Sequence, residues 1–186
     1  MLINKSIIEG VYIITPEPHY DDRGFFMRVY DEDMFLKNDI NIKWIQENHS
    51  KSVQKGIIRG LHFQLPPYSE TKLVRCTKGA VLDLFVDLRK GSKTFGHWDS
   101  IELNEVNKKI VLIPKGFAHG LCTLSDESEI LYKVDNYYSP SNEVGILWND
   151  KDLNINWPIE NPVLSEKDKK NISLKKFIEL YNGIEV

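Results

Sequence analysis

Hydrophobic residues alternate with polar ones, or run together over short lengths, along most of the chain. A period of two is typical of β-strands, and short apolar runs bounded by turn residues are typical of buried strands. The pattern predicts eleven strands, over residues 10–15, 24–30, 44–50, 56–64, 71–79, 80–89, 97–104, 108–114, 117–125, 129–138 and 143–149. Many short strands separated by Gly, Pro, Asp and Ser turns favour an all-β fold, an antiparallel sandwich or barrel.

Helical patterns are few, short and mostly C-terminal. Acidic residues open a candidate helix over residues 31–37. Ser165, followed three residues later by Asp168, resembles a capping box, and residues 173–181 carry apolar side chains at helical spacing. Because no repeat, low-complexity tract or linker interrupts the pattern, we expect a single domain over residues 1–186.

The strand predicted over residues 80–89 has two distinct faces. Apolar side chains occupy the first face, which comprises Leu82, Leu84, Val86 and Leu88. The second face mixes charged and apolar residues and comprises Val81, Asp83, Phe85, Asp87 and Arg89. Alternation alone gives equal weight to two interpretations of this second face, an outer surface or the lining of a polar cavity inside a barrel.

Composition and charge narrow the function classes. A length of 186 residues with 41% hydrophobic content suits one globular core. The net charge of −3 and pI near 6.0 argue against nucleic-acid binding. Polar residues interrupt the N-terminal stretch MLINKSIIEGVYII, so we expect neither a signal peptide nor a membrane span, and a cytoplasmic location. Cys76 and Cys122 lack CxxC spacing and are expected to be buried, reduced thiols.

A cluster of basic side chains interrupts the apolar stretch IIRGLHFQLPPYSETKLVR. It comprises Arg59, His62, Lys72 and Arg75. Taken singly, each is most simply explained as a solvated cation or as a histidine bonded to the backbone, but a buried cation requires a partner or an anionic ligand. Arg59 and His62 would face opposite sides of a regular strand. Either a bulge at Gly60 brings them together, or Arg59 lies at the barrel rim.

The histidine spacing disfavours a metal site. Metal-binding barrels of this kind place two histidines one residue apart, whereas His62 is followed by Phe63 and Gln64. The remaining chemistry is metal-free proton transfer, which needs a base that titrates near neutrality, an acid, and a cation where an oxyanion develops. His62, Tyr132 and Lys72 supply these three chemical types.

Nine stretches of the chain resemble the dTDP-4-dehydrorhamnose 3,5-epimerase family. They are DDRGFF (21–26), WIQENHSKS (44–52), IIRGLHFQLPP (57–67), KLVR (72–75), VLDLFVDLRKGSKTFGHW (81–98), LIPKGFAHGL (112–121), LYKVDNYYSPSNEVGILWND (131–150), INWP (155–158) and LSEKD (164–168). They occur in family order and span nearly the whole chain. The resemblance implies a cupin-type jelly-roll β-barrel, a homodimer without metal or organic cofactor, and a nucleotide-linked 4-keto-6-deoxy sugar as substrate.

The resemblance also implies residue roles. His62 would be the base and Asp168 the carboxylate that holds it, with Tyr132 the acid on the opposite face of the sugar. Lys72 would stabilise the enolate oxygen, with Asp83 as a nearby charge partner. The pyrophosphate would contact Arg59, His119 and Lys167. The nucleobase and ribose would contact Arg23, Phe26, Gln46, Glu47, Asn48 and Glu143.

The chain departs from the family pattern at Arg28, where the family usually carries a glutamate on the nucleotide side. Either the nucleotide pocket differs, or Arg28 points to solvent and changes nothing; we slightly favour solvent. Relatives with this fold invert only C3 or only C5, or move the ketone, and a non-catalytic sugar-nucleotide-binding cupin is a further alternative. The presence of both His62 and Tyr132 suits double epimerisation, but single epimerases keep the same pair, so the sequence leaves this choice open.

Overall fold

The computed structural model describes residues 1–186 and contains thirteen strands, two α-helices and one 3₁₀ helix. The strands are β1 (Leu2–Lys5), β2 (Tyr12–Thr15), β3 (His19–Asp21), β4 (Gly24–Phe26), β5 (Gln46–Ser52), β6 (Ile58–Gln64), β7 (Lys72–Lys78), β8 (Ala80–Asp87), β9 (Trp98–Asn104), β10 (Ile110–Ile113), β11 (Phe117–Thr123), β12 (Ser128–Val134) and β13 (Glu143–Gly145). The helices are α1 (Glu32–Leu36), α2 (Leu174–Tyr181) and the 3₁₀ helix Asp168–Lys170. Each of the eleven predicted strands is present at least in part, although those predicted over 24–30, 129–138 and 143–149 end early, at Phe26, Val134 and Gly145. The all-β prediction is confirmed.

Two antiparallel sheets form the body of the molecule. The six-stranded sheet has the order β1-β2-β10-β7-β12-β5, and the five-stranded sheet has the order β13-β6-β11-β8-β9. Strands β3 and β4 form a separate hairpin. Because consecutive strands such as β6 and β7 lie in different sheets, the chain crosses repeatedly between the sheets, as a jelly roll requires.

Three apolar clusters fill the spaces around these sheets. The cluster between the sheets combines Val74 and Ile130 of the six-stranded sheet with Phe85 and Leu121 of the five-stranded sheet. A second cluster packs the outer face of the five-stranded sheet against α2, and a third packs the outer face of the six-stranded sheet against α1. Burial on both sides explains why the central strands β8, β10 and β11 contain no exposed positions.

The two faces of strand β8 pack in different places. Leu84, Val86 and Leu88 pack in the cluster that contains α2, whereas Phe85 lies between the sheets. Asp83 and Asp87 are 0% exposed. The mixed face therefore looks into the barrel, and the interior interpretation is correct.

The helices begin where the sequence predicted. Asp31 caps α1 and Ser173 caps α2, each accepting a hydrogen bond at 3.1 Å from the backbone N–H three residues further on. Ser165 accepts one from the Asp168 N–H at 3.1 Å, but only the 3₁₀ helix follows. None of these helices is long and apolar enough to cross a membrane. Cys76 and Cys122 are buried, free thiols, as predicted.

Asp87 closes the turn at the end of β8 with a set of strong hydrogen bonds. Its carboxylate accepts from Arg89 Nη2 at 2.7 Å, from Ser92 Oγ at 2.6 Å and from Thr94 Oγ1 at 2.7 Å. Burial alone would raise the pKa of Asp87, but these hydrogen bonds outweigh it and lower the pKa below its usual value. Asp87 is therefore ionised in the folded protein and contributes to its stability.

We expect Asp87→Asn to lower the free energy of unfolding by about 3 kcal/mol near neutral pH, because the amide leaves Arg89 without its ionic partner. A depressed folded-state pKa stabilises above the unfolded carboxyl pKa of about 3.9, and this stabilisation is lost as the pH falls through the folded value. Urea unfolding of both proteins over a pH series measures the effect. A stability gap between them that does not narrow in acid would contradict it.

Candidate active site

A cavity of about 470 Å³ opens between the two sheets and is closed on one side by residues 163–168. Its apolar wall comes from residues such as Ile58, Leu121 and Ile130. Seven predicted site residues line it, namely Arg59, His62, Lys72, His119, Tyr132, Lys167 and Asp168. The fold thus brings residues more than 100 positions apart in sequence into one space.

A histidine–carboxylate pair lies on the five-stranded side of the cavity. His62 Nε2 is 2.5 Å from Asp168 Oδ1, and the Asp168 side chain is only 4% exposed. Burial would raise the pKa of Asp168, but the hydrogen bond and charge of His62, with further hydrogen bonds, lower it. Asp168 therefore remains ionised, fixes the imidazole ring, and favours a proton on Nε2.

A bulge in β6 brings Arg59 and His62 to the same cavity. Arg59 pairs with Leu121 and His62 with His119, so β6 contains one residue more than β11 over this interval. Gly60 makes the irregularity possible, because its φ is +136° and a Cβ there would lie 2.5 Å from the Gly120 Cα. Of the two alternatives left open by the sequence, the structure has the bulge at Gly60.

Tyr132 and Lys72 occupy the facing six-stranded sheet. Tyr132 pairs with Val74 and Lys72 with Val134, which places their side chains on the same face of adjacent strands. Since β6 belongs to the opposite sheet, a ligand between the sheets would have His62 on one side and Tyr132 on the other.

The charge partners of Lys72 and Asp83 differ from the prediction. Lys72 Nζ pairs with Glu70 Oε1 at 3.1 Å, and both side chains are mostly buried. Asp83 Oδ2 instead accepts a hydrogen bond from His119 Nε2 at 2.9 Å. The predicted pairing of Asp83 with Lys72 was wrong because Asp83 belongs to the five-stranded sheet, and a loop acid, Glu70, reaches the lysine first.

One region of the cavity is rich in positive charge. Arg59 is exposed to the cavity, held by hydrogen bonds from its guanidinium to Ser52 Oγ and Lys51 O at 3.1 Å each. Lys167 lines the same space and pairs with Glu143 Oε2 at 2.5 Å. Two cations and His119 around one apolar cavity favour an anionic ligand with several oxygens.

The residues predicted for the nucleotide side are more dispersed. Gln46, Glu47 and Asn48 lie on β5, the edge strand beside Tyr132, but do not line the cavity. Glu143 reaches it only through Lys167. Tyr138, which the sequence reasoning did not select, donates a hydrogen bond to Glu143 at 2.6 Å, and no local pattern signals this contact.

The hairpin β3–β4 holds Arg23 and Phe26 away from the cavity of their own chain. The Arg23 side chain is 90% exposed and pairs with Asp21, and Phe26 is exposed as well. Arg28 is exposed and pairs with Asp31 at 3.0 Å, which agrees with the solvent interpretation of this departure from the family pattern. The roles of Arg23 and Phe26 stay predictions.

A fixed imidazole, a facing phenol, an adjacent ammonium and a cationic rim inside a jelly-roll barrel define an acid–base enzyme for an anionic substrate. The model of the dTDP-4-dehydrorhamnose 3,5-epimerase family matches residues 5–176. The chain is 48% identical to the dTDP-4-dehydrorhamnose 3,5-epimerase of Shigella flexneri over 180 residues, 96% of this chain and 97% of the relative. This chain belongs to the dTDP-4-dehydrorhamnose 3,5-epimerase family.

Solved structures agree with this membership and confirm the predicted fold. The Bacillus anthracis dTDP-4-dehydrorhamnose 3,5-epimerase, crystallised with TDP and PPi bound, has a TM-score of 0.91 at 42% identity, covering 93% of this chain and 99% of that one. A Legionella pneumophila dTDP-6-deoxy-D-glucose-3,5-epimerase in complex with dTDP-4-keto-L-rhamnose has a TM-score of 0.92 at 37% identity, covering 100% and 98%.

Proposed function

We propose that this protein inverts C3 and C5 of a dTDP-linked 4-keto-6-deoxyhexose, as a step toward dTDP-L-rhamnose. The observation that carries the proposal is the placement of the His62–Asp168 pair and Tyr132 on opposite walls of one cavity, with Lys72 on the tyrosine side. The ligands named for the two crystal structures above support a dTDP-linked keto sugar.

The chemistry follows from the C4 ketone of the sugar. A proton at C3 or C5 is acidic because the carbanion left behind delocalises onto the C4 oxygen as an enolate. Asp168 holds the Nε2 proton of His62, so Nδ1 carries the lone pair that removes the carbon-bound proton. Lys72 stabilises the enolate oxygen, and the Tyr132 hydroxyl returns a proton from the other side. Removal from one face and return to the other inverts the centre.

Both centres can use the same groups, once His62 has released its extra proton to water and Tyr132 has regained one from water after the first inversion. C3 and C5 flank the same ketone, so a small shift of the ring presents each in turn while the enolate oxygen stays near Lys72. Lys72 and Glu70 are mostly buried, and charges interact more strongly in such surroundings than in water, which favours stabilisation of the developing negative charge by Lys72.

A coupled assay tests this function. The protein is incubated with dTDP-4-keto-6-deoxyglucose and a reductase that acts on 4-keto-L-rhamnose, and the reduced sugar is identified by NMR. We expect a dTDP-L-rhamnose product. Recovery of sugars with unchanged configuration at both C3 and C5 would refute the proposal.

The diphosphate of the substrate is proposed to contact Arg59, His119 and Lys167, because these groups form the cationic part of the cavity lining. We expect Lys167→Ala to raise KM about tenfold with little change in kcat, and to weaken the dependence of KM on salt, because one phosphate contact is removed. Steady-state kinetics at two ionic strengths measure this.

Lys169→Ala is the matched control, since Lys169 is similarly exposed but pairs with Glu166 and does not line the cavity. The control should behave like the wild type. If both variants bind the nucleoside diphosphate as the wild type does, Lys167 has no contact with it.

We also propose that the protein acts as a homodimer in the cytoplasm. The β3–β4 hairpin exposes Tyr20, Phe25 and Phe26, an apolar surface that another chain could cover. A second copy would also explain how Arg23 and Phe26 approach a substrate that their own chain does not bring to them. Two buried, free thiols suit a reducing compartment. Light scattering measures the mass, and a monomer at micromolar concentration would refute the dimer.

A further inference from the structure

Asp83 is a completely buried carboxylate whose partner lines the cavity. The residue is 0% exposed, and Oδ2 accepts its one hydrogen bond from His119 Nε2 at 2.9 Å. Oδ1 is buried and has no hydrogen-bond partner. An ionised carboxylate in such a place is unfavourable unless its partner carries a positive charge. Because His119 is the one hydrogen-bond partner of Asp83, an ionised Asp83 requires His119 to carry the positive charge.

Two histidine–carboxylate pairs therefore lie at the cavity, and their carboxylates differ in the number of hydrogen-bond donors. His62 and His119 lie directly opposite each other on β6 and β11. The pKa of Asp168 is lowered, against the effect of burial, by His62 and also by hydrogen bonds from Ser165 and the Gly60 backbone. Asp168 therefore has hydrogen-bond donors in addition to His62. Asp83 has no donor besides His119.

We propose that Asp83 is a positioning residue that holds His119 as the imidazolium, with its Nδ1–H directed to the substrate diphosphate. The inference rests on the proposed contact between His119 and the diphosphate. Since Nε2 is committed to Asp83, a neutral ring would present an Nδ1 lone pair, which repels a phosphate oxygen. Only the doubly protonated ring donates to both partners at once.

The other charged groups around His119 disfavour an imidazolium there unless Asp83 compensates its charge. The groups that share the cavity with it, from the four neighbouring elements, are Arg59 and His62 on β6, Lys72 on β7, Tyr132 on β12, and Lys167 and Asp168 on the closing segment. The cations among them disfavour a further positive charge on His119. Asp83 supplies the compensating charge on the side of His119 nearest to the protein interior, and a bound diphosphate adds to it.

The charge of His119 can be measured in the wild-type protein. Ring nitrogen shifts in ¹⁵N-histidine-labelled protein with dTDP bound, assigned with His119→Asn, report the state of each ring near neutral pH. We expect both His119 nitrogens to be protonated. A neutral His119 ring in the dTDP complex would overturn the proposal, and this experiment requires no folded variant of Asp83.

Asp83→Asn tests the role of the carboxylate. The amide keeps the size of the side chain but removes the charge that stabilises the imidazolium. We expect the Kd for dTDP to rise about tenfold near the upper end of the range in which histidine titrates, and to recover as the pH falls and His119 gains its proton. KM should rise far more than kcat falls. A Kd and pH dependence like those of the wild type would overturn the proposal.

Two controls distinguish the positioning role of Asp83 from the contact between His119 and the diphosphate. Asp87→Asn removes another fully buried carboxylate of β8 and should lower stability without changing the pH dependence of dTDP binding. His119→Asn should weaken dTDP binding at every pH, and Asp83→Asn should add nothing to it. If His119→Asn binds dTDP as tightly as the wild type, the diphosphate contact itself is wrong. If it binds weakly while Asp83→Asn shows no pH effect, only the positioning role fails.

Discussion

His62→Asn is expected to reduce proton exchange at C3 of the keto sugar by about 10³-fold or more, while the protein stays folded. General-base catalysis contributes about 10²–10⁴ to a rate, and His62 lines the cavity on the wall that faces Tyr132. The amide retains a polar contact with Asp168 but has no lone pair that can accept the proton at neutral pH. Exchange is followed by NMR in D₂O under saturating substrate.

His49→Asn serves as its control. His49 is an exposed histidine of β5 that bonds to Glu129 and does not line the cavity. Its replacement should leave exchange within about a factor of two, as expected for a surface change. Exchange in His62→Asn within about tenfold of the wild-type rate would assign the base to another residue.

Tyr132→Phe is expected to separate inversion from exchange. His62 still removes the C3 proton and Lys72 still stabilises the enolate, but the enolate can then recover a proton only from the face it left. Net inversion should fall about 10²-fold, whereas deuterium uptake with retained configuration should fall much less. The two rates come from one reaction in D₂O, by NMR of the recovered substrate and of the product.

Tyr12→Phe is the matched control, because Tyr12 belongs to the same six-stranded sheet but packs with the cluster on its outer face. It should change neither rate. An equal loss of exchange and inversion in Tyr132→Phe would mean that the phenol does not act as the acid of the second face.

The strands were predictable because burial between two sheets imposes a clear pattern on them. The segments β1 and β3 were not predicted, because Leu2–Lys5 and His19–Asp21 are short and mostly exposed. They are strands because they pair with β2 and β4, and pairing leaves no hydrophobic signal in so short a segment.

The direction of some site side chains was predictable from the sequence, but their partners across the sheets were not. Alternation placed Asp83 on a face that could look inward. The conflict between Arg59 and His62 indicated either a bulge at Gly60 or an Arg59 at the barrel rim, and the structure has the bulge. Alternation does not specify which side chains meet across two sheets, and the family resemblance had paired Asp83 with Lys72 in place of His119. The approach of Glu70 to Lys72 depends on the path of a loop, which no periodicity encodes.

Deuterium uptake from D₂O by dTDP-4-keto-6-deoxyglucose tests most directly whether His62 and Tyr132 act on a sugar held between them. With wild-type protein, we predict that deuterium enters at both C3 and C5, with inverted configuration at each centre in the product. Uptake at C3 alone would restrict the enzyme to one centre. No uptake at either carbon, with the sugar nevertheless bound, would contradict acid–base epimerisation in this cavity.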